Sequence, residues 1–330
     1  MKVVIPFLAV LALMLVGYVG VQVVDLPFLF GVIVPYTAVA LFICGFVYRI
    51  FYWAKSPVPF RIPTTCGQQK SLDWIKSAPL DNPHDTKGVI ARMALEILFF
   101  RSLFRNTKTE IKDGPKVVYG SNLWLWAAAL AFHYSFLVIF LRHLRFFAEP
   151  VPALVSLLNS VNSFFQVGLP PVMMTSLVIL AAAAFLLVRR LFTPTLRYIS
   201  LAADYFPLFL IIGIAGTGVF LRHFVRTDVV AIKDLAMGLA SFKPVVPQGI
   251  HWFFYAHLML VSTLIAYFPW SKLVHLGGVF LSPTRNLANN NRMVRHINPW
   301  NAPVKVHTYE EYEDDFRDKM KAAGLPVDKE

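Results

Sequence analysis

Charged side chains are scarce in this sequence. They make up 15% of its 330 residues, against about 25% in a soluble domain, which excludes an ordinary water-soluble fold. Cysteine is nearly absent. Cys44 lies in an apolar run and Cys66 in a polar stretch, so no disulfide is expected and no cysteine cluster could hold an iron–sulfur centre. No Cys-x-x-Cys-His occurs, so covalently attached c-type haem is not expected. No acidic residue occupies the middle of an apolar run, since Asp25 and Asp204 sit at run edges. That argues against a proton-coupled transporter. The net charge is +12, yet no RNP-like or helix-turn-helix pattern accompanies it, so the basic excess is not read as nucleic-acid binding.

Apolar residues are what the chain has in abundance, with a mean hydropathy of +0.58. About 20 apolar residues cross a bilayer as a helix. Six runs qualify, at about 3–24, 29–53, 122–146, 172–192, 205–222 and 251–271. The first is longer than the ~7–15-residue core of a signal peptide and no A-x-A site follows it, so it reads as a retained span. The fold class is therefore an all-α integral membrane protein, a six-span helical bundle. Lysine and arginine set its orientation. Eleven lie in the loop 54–121, Arg189, Arg190 and Arg197 follow the fourth run, and nine more lie from Lys272 onward. The positive-inside rule then places the protein in the cytoplasmic membrane with both termini cytoplasmic. The chain divides into two N-terminal spans (1–53), a cytoplasmic loop (54–121), a four-helix core (122–280) and a cytoplasmic tail (281–330).

Pro57, Pro59 and Pro63 make the start of the loop extended. Residues 86–105 read as an amphipathic helix, with Val89, Met93, Ile97 and Phe104 near one face and Arg92 spaced to pair with Glu96. It lies either on the membrane surface or against the protein's own loop. In the tail, NNNRMVRHINPWNAP reads as extended, followed by a helix over about 309–323. Thr308 and Glu311 form its capping box, acidic residues lead it and lysines close it, and Gly324 and Pro326 end it. Such a tail suits docking on a soluble partner.

Two apolar runs each carry two histidines: His133 and His143 in the third, His257 and His275 in and just after the sixth. Ionisable side chains inside a span are costly and point to function. Neutral imidazole donates a lone pair to iron, so two such pairs suggest two bis-histidine haem sites stacked across the bilayer. The runs are antiparallel, which pairs His133 with His275 toward the inner side and His143 with His257 toward the outer. His257 and His275 are 18 residues apart, which is five turns and about 27 Å along one helix face. His133 and His143 are only about 15 Å apart and differ in azimuth, a difference that tilted helices with upright macrocycles could absorb. Histidines that bond between helices are the alternative reading. His223 and His251 compete at the outer face, either as substitutes for His143 or His257 or as quinone contacts. His84, His296 and His307 sit in polar segments and read as solvated or partner-facing.

The sixth run, AHLMLVSTLIAYFPWSKLVH, resembles the last span of the cytochrome b (gamma) subunit of respiratory nitrate reductases. That family places two haem-ligand histidines 18 residues apart there, around a Phe-Pro and a basic-Leu-Val-His ending, and two more ten apart on another helix. The resemblance covers roughly residues 120–280. The family has five spans, so the extra N-terminal span departs from it, and its quinol-site lysine has no counterpart between Lys116 and Lys233. The segments CGQQKSLDWIK, GVIARMALEILFFRSLFRNT and NRMVRHINPWNAP make nearly the whole chain similar to the membrane cytochrome b subunits of Dsr complexes, the sulfite-reduction-associated redox complexes of sulfur-metabolising microbes. The likeness implies two haem b groups and electron exchange between menaquinone or menaquinol and a cytoplasmic iron–sulfur subunit of the heterodisulfide reductase kind. It also implies a second quinone-interacting membrane subunit, a periplasmic multihaem cytochrome c and a periplasmic iron–sulfur protein. Arg142, Arg145 and His223 then become candidate propionate or quinone contacts, with lipid-headgroup anchoring the alternative for the arginines. Gly216 and Gly218 could admit a macrocycle edge or serve helix packing. A cofactor-free membrane anchor recruiting soluble redox subunits is the rival function.

Overall fold

The computed structural model describes residues 1–56, 67–104, 108–163, 170–294, 303 and 305–329. Cys66, His296 and the three loop prolines lie outside those residues. Among the described residues six helices are long and apolar enough to cross a membrane: α1 (Val4–Val23), α2 (Leu29–Ala54), α5 (Leu123–Phe146), α7 (Met174–Phe192), α9 (Ala202–Val225) and α11 (Trp252–Trp270). Six crossings bring both termini to one side, here termed the terminal face. Between α2 and α5 come α3 (Thr86–Phe99), α4 (Arg101–Phe104) and an antiparallel hairpin of β1 (Lys108–Lys112) and β2 (Lys116–Gly120). On the opposite face α6 (Ala153–Asn162) follows α5, and α10 (Val229–Ala240) follows α9. On the terminal face, α8 (Pro194–Ile199), α12 (His275–Gly278), α13 (Pro283–Asn286) and the tail helix α14 (Tyr309–Ala322) complete the chain.

Side chains cap the helices where the sequence changes from polar to apolar. Asp85 accepts from the Gly88 amide at 2.8 Å, Asn122 from Leu125, and Asp228 from Val230 and Ala231, each satisfying donors that a helix start leaves free. The tail capping box forms as expected, with Thr308 and Glu311 bonding each other's backbone amides, and Gly324 stops the helix at φ +70°.

The spans pack as an open arc. α5 lies on α7, α7 on α9 and α9 on α11, while α1 and α2 cover the far side of α11. Val10, Ile179, Leu210, Ile211, Leu260 and Leu264 form the buried centre, with Phe132 and Ile139 of α5 at its edge. Small residues allow the closest approach: a Cβ on Gly17 would fall 2.9 Å from the Ala256 Cα. Among the described residues α5 and α11 do not pack closely on one another.

The straight-helix spacing expected for His257 and His275 does not hold. α-Helical geometry ends at Tyr267; Phe268–Trp270 form a 3-10 turn, Ser271 is extended (φ −116°, ψ 176°), and a second short turn leads into His275. Pro269 has no amide to continue the ladder. A redirected chain, rather than helix tilt alone, therefore reconciles the unequal spacings.

Candidate functional site

The structure brings the four span histidines together in two groups, one toward each face. Toward the terminal face, the rings of His133 and His275 have centroids 5.9 Å apart and planes at 87°. Toward the opposite face, His143 and His257 lie within electrostatic range of each other. The grouping is 133 with 275 and 143 with 257.

All four rings are held by the same nitrogen. His133 Nδ1–H donates to the Ala129 carbonyl at 2.8 Å, His143 Nδ1–H to Ile139 at 2.7 Å, and His275 Nδ1–H to Lys272 at 2.9 Å. His257 uses Thr217, whose hydroxyl lies 2.8 Å from Nδ1. That hydroxyl already donates to the Gly213 carbonyl at 2.7 Å, so it accepts from the imidazole. A proton fixed on Nδ1 leaves the lone pair on Nε2, and such an anchored tautomer is the usual state of a metal-ligating histidine. His251 is the contrast. Its Nδ1 accepts from the Phe253 amide at 3.2 Å, which puts the proton on Nε2 and unsuits that nitrogen as a ligand.

The geometry suits a flat macrocycle with two axial imidazoles. Metal–imidazole bonds of about 2 Å put two rings on opposite sides of one metal with centroids roughly 6 Å apart, and the 5.9 Å separation agrees. Among the described residues no three His, Cys, Asp or Glu side chains converge, so the histidines meet as pairs. Gly216 faces open space, since an added Cβ would meet nothing within 4 Å, and is therefore not a packing contact; Gly218 lies beside the His257 ring. The His133–His275 pair therefore fits a haem held between two imidazoles.

Three arginines gather near the outward pair. Arg142 Nε donates to Asn159 at 3.2 Å, and Arg222 Nε donates to the Pro171 carbonyl at 3.3 Å. The Arg145 guanidinium lies 5.7 Å from the Phe146 ring and is within electrostatic range of the other two. Among the described residues none of the three pairs with a carboxylate, which leaves a cationic patch open to an anionic group. His223, half-buried, shares the π-turn Leu221–Val225 with Arg222.

Several positioning groups escaped the sequence reading. Thr217 is one; a hydroxyl in an apolar span was its only signal. Another is Asp204, whose side chain is buried. It caps α9 by accepting from the Leu201 amide at 3.0 Å, takes Lys272 Nζ at 2.5 Å and lies 3.9 Å from Arg190. Lys272 also supplies the carbonyl that holds His275. Phe100, at φ +49° between α3 and α4, places its ring 4.9 Å from that of His133. His84, expected to be solvated or partner-facing, has its Nδ1 buried without a hydrogen-bond partner, while His307 is exposed beside Glu311.

A family description of the nitrate reductase gamma subunit matches residues 93–296, which begins after the first two spans. The chain is also similar to two archaeal proteins, each named an Hdr-like menaquinol oxidoreductase cytochrome b-like subunit. The Archaeoglobus fulgidus protein is 46% identical over 279 residues, covering 82% of this chain and 83% of its own. That of Archaeoglobus profundus is 40% identical over 273 residues, covering 81% of each.

Proposed function

Because this chain belongs to the nitrate reductase gamma subunit family, we propose that it is the di-haem b subunit of a menaquinol-linked membrane complex, passing electrons between menaquinol and a cytoplasmic iron–sulfur subunit of the heterodisulfide reductase kind. The observation that carries this reading is the shared anchoring of four imidazoles, each fixed through Nδ1 with Nε2 left for iron. The names of the Archaeoglobus relatives support the quinol and the Hdr-like partner.

His133 and His275 hold the inner haem, and His143 and His257 the outer. Haem bound there would supply a one-electron couple, and two histidine ligands to each iron would leave no open position for oxygen chemistry. The Nδ1 hydrogen bonds orient each ring and raise its basicity. Arg142, Arg145 and Arg222 offer guanidinium groups to propionate carboxylates or to a quinol headgroup, with His223 beside them. The loop and tail face the cytoplasm and dock the iron–sulfur subunit. A second quinone-interacting membrane subunit, a periplasmic multihaem cytochrome c and a periplasmic iron–sulfur protein complete the assembly, which serves dissimilatory sulfur metabolism.

Haem per polypeptide, measured by pyridine hemochrome on the detergent-purified chain with oxidised and reduced spectra, tests the reading. Two low-spin b haems are expected. A value near one would make one histidine pair structural, and a folded, haem-free chain would leave only a membrane anchor.

A further inference from the structure

Helix α3 carries apolar residues on both faces, unlike a helix in water. Its inner face holds Val89 with half-buried Met93 and Ile97, and half-buried Arg92 and Glu96 also turn inward. Glu96 takes both the amide and the hydroxyl of Ser102, at 3.0 and 2.6 Å, and lies 3.6 Å from Arg285. The outward stripe is Lys87, Ile90, Ala94 and Leu98, with Phe99 beside it, and Ile90 is 64% exposed. A surface helix in water should instead turn polar and charged groups outward.

The far end of α3 is fastened to the side of a membrane span. The Leu98 carbonyl accepts from Tyr134 Oη at 2.8 Å and the Phe99 carbonyl from Trp126 Nε1 at 2.7 Å. These are acceptors that a helix end leaves free, and in lipid no water would replace those donors. Tyr134 lies about 17 Å along α5 from Leu123, comparable with the roughly 15 Å half-thickness of the hydrocarbon core, although a tyrosine reaches back toward its helix start. The exposed Leu98 and Phe99 are thereby pinned to exposed Tyr134 and half-buried Trp126 of the span. At the other end of α3, Asp85 and Lys87 are exposed, where a cation can reach the headgroups.

We propose that α3 is a re-entrant helix immersed in the terminal-face leaflet, its Ile90–Ala94–Leu98–Phe99 surface in contact with lipid acyl chains. It descends from Asp85, turns at Phe100 and returns through α4 toward the hairpin. This holds whether or not the histidines bind haem, so the two proposals fail separately.

Nitroxide labels on single cysteines test it in proteoliposomes of the full chain. Ile90→Cys, Leu98→Cys, Leu41→Cys on α2 and Asp113→Cys in the hairpin turn are made with Cys44→Ser and Cys66→Ser. Labels at 90 and 98 should match position 41, with oxygen accessibility several-fold above that to a water-soluble nickel chelate, while 113 shows the opposite. Nickel accessibility at 90 and 98 equal to that at 113 would overturn the proposal. So would low collision with both reagents, which would mean that a second copy of the chain covers the face. Should the variants misfold, the unaltered chain can be photolabelled by a carbene precursor dissolved in the lipid. Label on the 86–100 peptide at the level of α2 supports immersion, and label confined to the six spans overturns it.

Discussion

At the scale of single residues, the hydrogen bonds behind the histidines decide what each substitution does. His257→Ala and His275→Ala remove Nε2 donors from different pairs, so each should lose about half the haem and spare the other site; the hemochrome assay and reduced spectra of the two variants check this. Thr217→Val keeps the shape beside His257 but deletes the acceptor of its Nδ1 proton. Loss of such a supporting bond lowers metal affinity by about 10–100-fold, so haem titration should show one weakened site and one unchanged. Asp204 acts at one remove, through Lys272, on His275. Asp204→Asn should retain the protein fold but shift the midpoint potential of the inner haem alone, and Asp204→Glu should restore it in part; equal shifts at both haems would indicate a general loosening. The loss of its cap costs about 1 kcal/mol, too little to unfold the bundle.

At the scale of elements, legibility followed length. The six spans were readable to within a few residues because about 20 apolar residues leave few alternatives. The short helices Ala153–Asn162 and Val229–Ala240 and the hairpin Lys108–Gly120 fall below that length and were not foreseen. The histidines were legible because ionisable groups stand out in apolar runs. Thr217, Asp204 and Phe100 were not, because their importance arises from neighbours 40 to 68 positions away, or 33 in the case of Phe100. The tail helix shows local signals succeeding and a tertiary one missed. Its caps were readable, but the buried Glu313 carboxylate folds the chain end back, accepting from the amides of Asp328 and Lys329 at 2.7 and 2.8 Å. The Asp328 amide, ahead of Lys329 and Arg317, holds Glu313 below the usual carboxylate range. A lowered folded pKa contributes stability that is complete above the ordinary value of about 4.3 and is lost as pH falls through the folded one. Protection of the Asp328 and Lys329 amides, measured by hydrogen exchange and corrected for the intrinsic rate, should persist at neutral pH and vanish in acid. Glu313→Gln should remove much of it at every pH.

At the scale of the whole molecule, charge is distributed unevenly between the two histidine pairs. The outward pair lies near Arg142, Arg145 and Arg222, which have no carboxylate partner among the described residues. Near the inward pair, Lys272 and Arg190 are compensated by the buried Asp204. Positive charge near a redox centre favours its reduced form, and in a low-dielectric span that effect is weakly screened. Arg142→Gln should therefore lower the potential of the outer haem and leave the inner one within error. Neutralising Lys272 instead should move only the inner haem, and by less, because Lys272→Gln leaves Asp204 still facing Arg190. Redox titration of the two variants, with the haems distinguished by the histidine deletions above, reads both effects. If Arg142→Gln moved the inner haem as much as the outer, the arginine patch would belong to the general surface potential, and its assignment to the outer pair would fall.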